Sequence, residues 1–475
     1  MSAVRRTAAL FTIGGMLAAG ALADVTVGAD SNETRSRREH RAVLPASIPA
    51  EAPRTSAWYC ASGVAGGDAP GQLTVRITNV RLAAASARLR VTGGAAEVER
   101  AVEIAPGAST SFNIGELVET NTPGVIVEVS SGSVVVDEWV QGANDAAWMM
   151  CATRPSPSWY LPAGTAELGT VSRLALFNPF SEAAIVKVQF QTDVGLREPF
   201  DLQSFVVPPR GRVDIDVDEV LGNPSLAAAI VQARTGRIVA QRYEVLTDSL
   251  RGSGITGSAG NVSTSDQLMI AFPGRQSSDR VIAAVSNTSD QRTVVNVTIR
   301  QPGSVEAVVK PVTIEAQHAT EIDLTNSITA GAAAVVALRS TAAVVGELRW
   351  WELTPDSTKV AAGVAVLPMS PISVKEWFLP LKNADSGTVV TVANDQDARA
   401  HLRLTSIAPD GAKRLRSVNV PPHSVLNISQ SGVTSDTTAI RVQASVPVVV
   451  VGSQRTAASD GVIGVLAATV GVPVD

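Results

Sequence analysis

Along most of the chain, apolar side chains alternate with polar ones in short runs closed by Gly, Pro, Asn or Asp. Ile185-Val-Lys-Val-Gln-Phe190 and Val294-Val-Asn-Val-Thr-Ile299 are two of them. A period of two puts one face of an extended segment in the core and the other in water, so these runs predict β-strands. Helical periodicity appears only near the N-terminus.

The runs recur in one order, four times. Each copy opens on an aromatic: Trp58-Tyr-Cys60, Trp159-Tyr-Leu-Pro162, Ala271-Phe-Pro273 and Trp377-Phe-Leu-Pro380. A run ending in Asn79, Asn178, Asn287 or Asn394 follows. Asn at a strand end suits a turn, since its side chain bonds nearby backbone and tolerates left-handed dihedrals; all four are expected to be turn formers. Next come an alternating strand, a bend at Pro106, Pro209, Ala316 or Pro422, and two valine-rich runs, the first starting at Val127, Val231, Val336 or Val442. Those starts recur about every 105 residues, a register that argues duplication. About six or seven short strands per copy with closely spaced turns is the pattern of an immunoglobulin-like β-sandwich. The expected fold is all-β: four tandem immunoglobulin-like β-sandwich domains at 58–153, 154–262, 263–370 and 371–475, each closing in a hairpin, as at Asp356 and Asp460-Gly461.

Upstream, Met1-Ser-Ala-Val-Arg-Arg6 precedes an apolar stretch from Ala8 to Ala23, ending Ala-Leu-Ala before Asp24. A basic start, a short apolar middle and small terminal residues have the shape of a secretory signal. Residues 1–24 are therefore expected to be a signal peptide or, if uncleaved, a membrane anchor. Residues 25–57, rich in Arg and Pro and without an apolar period, are expected to be a disordered linker. The expected location is extracytoplasmic, secreted or tethered to the cell membrane.

Composition narrows the partners. The chain is 45% apolar and 4% aromatic, with 17% charged residues and a net charge of -5, so it offers no basic face to nucleic acid. Its two cysteines, Cys60 and Cys151, bracket the first copy, and an isolated pair in an exported chain is expected to be a disulfide. Closing that loop of 91 residues is worth about 4.5 kcal/mol in the loop-entropy picture.

Candidate chemistry is sparse. The four histidines are scattered: His40 in the linker, His318 and His423 near the equivalent bend, His401 in a strand. No catalytic residue is assigned, and neither a Gly-x-Ser-x-Gly nor a His-Glu-x-x-His motif occurs. Gly252, Gly254 and Gly257 have dinucleotide-loop spacing, but no helical pattern follows to meet a phosphate, so no cofactor is expected. Asp214, Asp216 and Asp218 alternate along one run and would share an outward face; they are the candidate cation ligands, weighed against a plain solvated strand, and no metal is expected. Trp350 and Trp351 are adjacent, so one should point outward, and with Trp148 they form the candidate ligand surface.

The order of leader, Cys60, Trp159-Tyr-Leu-Pro-Ala-Gly164, Leu176-Phe-Asn-Pro179 and Val207-Pro-Pro209 resembles an uncharacterised family of actinobacterial envelope proteins, known only as a domain of unknown function. The resemblance covers nearly the whole chain; it implies an envelope location and carries no activity, cofactor or site. The expected function is that of an exported, non-catalytic cell-envelope protein with a binding or scaffolding role, its partner an unidentified envelope protein. The alternatives are a reader of wall polysaccharide through its tryptophans, and an envelope enzyme or its accessory subunit.

Overall fold

The computed structural model describes residues 44–474 apart from 51–54, 143–144, 250–251, 304–306, 354–360, 382–387, 430–435 and 456–465. The leader, His40, and the turns at Asp356 and Asp460 lie outside the described residues. In copy one, the strands are β1 (Ser56–Cys60), β2 (Gln72–Asn79), β3 (Ala85–Thr92), β4 (Val98–Ile104), β5 (Ser109–Asn113), β6 (Gly124–Ser131), β7 (Val134–Gln141) and β8 (Ala146–Met150). They make two antiparallel sheets, ordered β1-β6-β3-β4 and β5-β2-β7-β8. The period-two pattern explains the core, for Leu73, Val75, Leu89, Val91, Val127 and Val136 are all buried.

The same orders recur in the other copies. In copy two, the first sheet is Ser158–Leu161, Ala228–Thr235 and Ala184–Thr192, with β4 replaced by two fragments, Gly195–Arg197 and Phe205–Val207; the second is Gly211–Asp216, Thr170–Asn178, Val239–Ser249 and Gly252–Ser258. In copies three and four, single long strands, Ala334–Leu353 and Ala439–Arg455, take the places of β6 and β7 and pass through both sheets. Copies one and two instead turn between those strands at Gly132 and Gly236, both left-handed, at φ 84° and 80°. The paired valine-rich runs therefore belong to different sheets, β6 beside β1 and β3, β7 beside β2 and β8.

Each strand-end Asn acts as the turn former expected of it. Asn79 donates to Ala83 O, Ile104 O and Ala105 O while accepting from Arg81 N. Asn178, Asn287 and Asn394 repeat that pattern, tying the β2–β3 turn to the end of the β4 counterpart. The bend is likewise shared: Gly107, Arg210, Gln317 and His423 are all left-handed, so the equivalent of His423 is Gln317, with His318 one residue on.

The innermost strands decide how the sheets stand. β8 packs on Gly252–Ser258, which packs on Ala361–Pro368, which packs on Leu466–Val470, which returns to β8. All of β8 is buried, and so is all of Leu466–Val470. A closing strand apolar on both faces has to be covered on both, and the neighbouring copies do it. The all-β expectation holds, and the four second sheets stand around a common axis as propeller blades do.

The linker expectation needs correction over its last part. Leu44, Ala46 and Ile48 are buried. Thr153 N donates to Pro45 O at 2.9 Å, and Ile48 N to Pro473 O at 3.0 Å, with Ile48 bridged in parallel to Val474. The spacing of Leu44, Ala46 and Ile48 is itself that of a strand, and the apolar end of the axis gives it something to cover. Both ends of the 44–475 unit thus meet in one clasp. Among the described residues, no helix is long and apolar enough to cross a membrane.

Candidate functional site

Charged residues interrupt the apolar runs of the β7 position: Val134-Val-Val-Asp137-Glu138-Trp139, Val239-Ala-Gln241-Arg242-Tyr-Glu244 and Val345-Gly-Glu347-Leu-Arg349. A strand covered on both faces leaves no watery side, so these groups must be satisfied by one another. At the joint between copies one and two, the loop after β1 supplies the donors. Ala61 N donates to Gln241 Oε1 at 2.5 Å, Ser62 N to Glu138 Oε2 at 3.4 Å, and Gln241 Nε2 donates to Glu138 Oε1. Burial pushes the Glu138 carboxyl up to about 8, against the pull of the Gln241 and Ser62 donors. Arg212 fastens the same joint, donating to Gly63 O and Pro123 O while paired with Asp214.

The next joint holds four charges. Arg242 Nη2 lies 3.1 Å from Glu347 Oε2 and Arg349 Nη2 lies 2.7 Å from Glu244 Oε2, with all four side chains buried. Ala163 N and Thr165 N, in the loop equivalent to that after β1, donate to Glu347 and Glu244. Two positive and two negative groups with backbone donors make a network without net charge, in which Nε and Nη1 of both arginines are buried without a hydrogen bond. At the third joint, Arg455 Nη2 and Trp350 Nε1 both donate to Asp279 Oδ2, at 2.7 and 2.8 Å, with the guanidinium over the Trp350 ring.

These joints absorb most of the residues singled out from the sequence. Cys60 and Cys151 form the disulfide, joining the end of β1 to the residue after β8. The tryptophan surface is overturned: Trp148, Trp350 and Trp351 are 3%, 3% and 1% exposed, because adjacent residues on a β7-type strand do face opposite ways but both faces are covered by sheets. The aspartate face is also not built as expected. Asp214 is paired with Arg212 and accepts from Tyr243 Oη, Asp216 is paired with Arg173 at 2.5 Å, and the strand gives way to a short helix, Val217–Leu221, that takes Asp218 off the line. Gly252, Gly254 and Gly257 lie on an innermost strand with no helix after it. His318 bonds Ala316 O, His401 bonds Asn419 and His423 bonds Asp397, each with a different partner. What sequence reasoning missed was the joint chemistry; adjacent or next-nearest charges inside a valine run, as in Asp137-Glu138 and Arg242-Tyr-Glu244, were the available signal.

On the axis, Leu44 and Ala46, Trp148 to Met150, Val366 and Val470 line a cavity of about 40 Å³. That is room for a water or two. The outer surface is more distinctive. Among the described residues, the exposed large apolar side chains other than Leu82 all lie between Leu168 and Val220, in copy two; Phe200 is 91% exposed and Val194 68%. Val194 and Phe200 flank the first fragment of the β4 counterpart, Gly195–Arg197, and Phe205-Val206-Val207 forms the outer edge with Val206 exposed. The corresponding strands elsewhere carry Glu99, Arg100 and Glu103 in copy one, Lys310 and Pro311 in copy three, and Lys413, Arg414 and Arg416 in copy four. Charges and proline on edge strands discourage pairing with other chains; in copy two the Gly195–Arg197 fragment carries Arg197, but Phe205–Val207 carries neither.

Comparison with known proteins adds a family without an activity. No curated protein matches the chain. Among solved structures, the crystal structure of Thermotoga maritima 1070 matches at 15% identity over 22% of this chain and 92% of that one, with a TM-score of 0.19, a likeness too slight to bear on fold or function. The model of a family of unknown function, DUF5719, matches residues 46–199 and again 146–394, more than half of the chain. The chain belongs to that family, DUF5719.

Proposed function

We propose that this protein is an exported, non-catalytic scaffold of the cell envelope, each copy an immunoglobulin-like sandwich, and that it docks a protein partner on the outer edge of copy two. The observation that carries this reading is the exposure of Val194, Phe200 and Val206 about the outer edge of copy two, whose Phe205–Val207 fragment carries no charged residue. An extended apolar segment of the partner, added beside Phe205–Val207, would satisfy the free edge and cover Phe200 and Val206 together. The polysaccharide reading loses its support with the tryptophans buried. Export rests on the leader read from the sequence, and the actinobacterial envelope setting on the resemblance carried by the leader, Cys60, Trp159-Tyr-Leu-Pro-Ala-Gly164, Leu176-Phe-Asn-Pro179 and Val207-Pro-Pro209.

The test is photo-crosslinking in intact cells from a probe placed beside Phe200, at Gln203, and beside Leu82, at Arg81. A discrete adduct from the Gln203 probe only, reduced at least tenfold by Val206→Lys, supports the proposal. Equal yields from the two probes, or an adduct indifferent to Val206→Lys, would overturn it.

A further inference from the structure

Glu138 sits beside the only disulfide. One oxygen of its carboxyl and the Sγ atoms of Cys60 and Cys151 all lie within 4.8 Å of one another, and all three residues are fully buried. The repeat supplies a comparison within the chain. Paired against the β2-type strands, the positions equivalent to Glu138 are Arg242, Leu348 and Gly452, so the acid occurs where the disulfide does and in none of the copies without one. A buried carboxyl costs free energy that a leucine there would not, which asks for a reason beyond packing.

We propose that Glu138 is the acid–base group for closing the Cys60–Cys151 bond during oxidative folding, with a small or protein-borne disulfide as oxidant. One cysteine, its proton lost to water, attacks as a thiolate a sulfur of the oxidant, breaking its S–S bond and leaving a mixed disulfide, while the expelled oxidant thiolate takes a proton back from water. Glu138 then takes the proton of the remaining cysteine thiol. The thiolate so formed attacks the first cysteine's sulfur, making the Cys60–Cys151 bond and breaking the mixed disulfide. The second oxidant group leaves as a thiolate that takes its proton from water. Two cysteine thiols, one oxidant disulfide, the ionised Glu138 and one water become one protein disulfide, two oxidant thiols, protonated Glu138 and one hydroxide.

The surroundings suit that end state. Asp137, on the same strand, is neutralised by Arg76, and Arg212, the nearest cation from copy two, is engaged by Asp214, so no free positive charge faces the carboxyl to hold it ionised. The raised proton affinity of the buried group agrees with its keeping the proton once the bond has closed.

The test is the rate of closure in the full chain after reduction, with oxidised glutathione as oxidant, followed by alkylation and mass spectrometry across pH. With Glu138 as the base, the rate climbs tenfold per pH unit only until that group ionises, about pH 8, and levels off above it, below the ionisation of a buried thiol. Glu138→Gln is expected to slow closure about a hundredfold near pH 7, its rate to go on climbing above pH 8 where the wild type levels off, and Glu138→Asp to recover part of the rate. Parallel profiles for wild type and Glu138→Gln overturn the proposal. Should neither variant fold, a wild-type profile that keeps climbing tenfold per unit above pH 8 overturns it.

Discussion

The joint between copies one and two and the joint between copies two and three occupy the same place in the repeat and solve it with different chemistry. At the first, a neutral pair, Gln241 and a carboxyl that burial keeps protonated, meets the amides of the loop after β1. At the second, Arg242, Glu244, Glu347 and Arg349 form a set of four paired charges against the amides of the equivalent loop. Duplicated copies with identical joints could pair in any order. Unlike joints give each copy one proper neighbour, because a copy in the wrong place would bury a charge with no partner.

The sharpest way to break that contrast is to remove one charge of the four. Glu347→Ala strands Arg242 in a dry interior and is expected to cost about 3–5 kcal/mol, read from denaturant unfolding of the full chain. Replacing all four together, Arg242→Met, Glu244→Leu, Glu347→Leu and Arg349→Met, should cost far less than the single change. If the two results were equal, the network would be holding the joint by its charges and not merely specifying it.

The two joints should also part company with pH. Glu138 titrates at about 8 in the folded chain and near its ordinary 4.5 when unfolded. The unfolded state releases that proton first, so this group's contribution is complete below about 4.5, falls as pH rises, and is fully lost above about 8. Wild type should therefore lose stability relative to Glu138→Gln across that window, measured as the shift in urea midpoint. A gap that stays constant with pH would mean that the carboxyl is ionised in the fold and that the first joint is charged after all.

Much of the scaffold was legible because its causes are local. Period-two runs, asparagine turns and the cysteine pair each act over a few residues or follow from compartment, and each is found where the sequence put it. The ring was not legible. Trp350 and Trp351 were expected to divide between core and water, a sound rule for a strand with one wet face; Ala361–Pro368 and its neighbours cover the second face, and nothing nearby in sequence announces that. The Leu44, Ala46 and Ile48 alternation went unread for the same reason, since its partner is Val474 at the other end of the chain. The joint charges were visible as residues but not as a network, because their partners lie in another copy.

The smallest effect concerns the contrast between copy two's edge and the other three. Phe200 is 91% exposed, so Phe200→Ser removes almost no buried surface and should change unfolding stability by less than about 0.5 kcal/mol. An aromatic that contributes so little to its own fold has been left to the solvent in a chain that buries Trp58, Trp159, Trp351 and Trp377 completely. Val206→Lys should be as mild, since it gives the edge the kind of residue that copy three already carries at Lys310. A loss above about 1 kcal/mol for either change would make these packing residues, and the docking face proposed for copy two would then have no exposed anchor to work with.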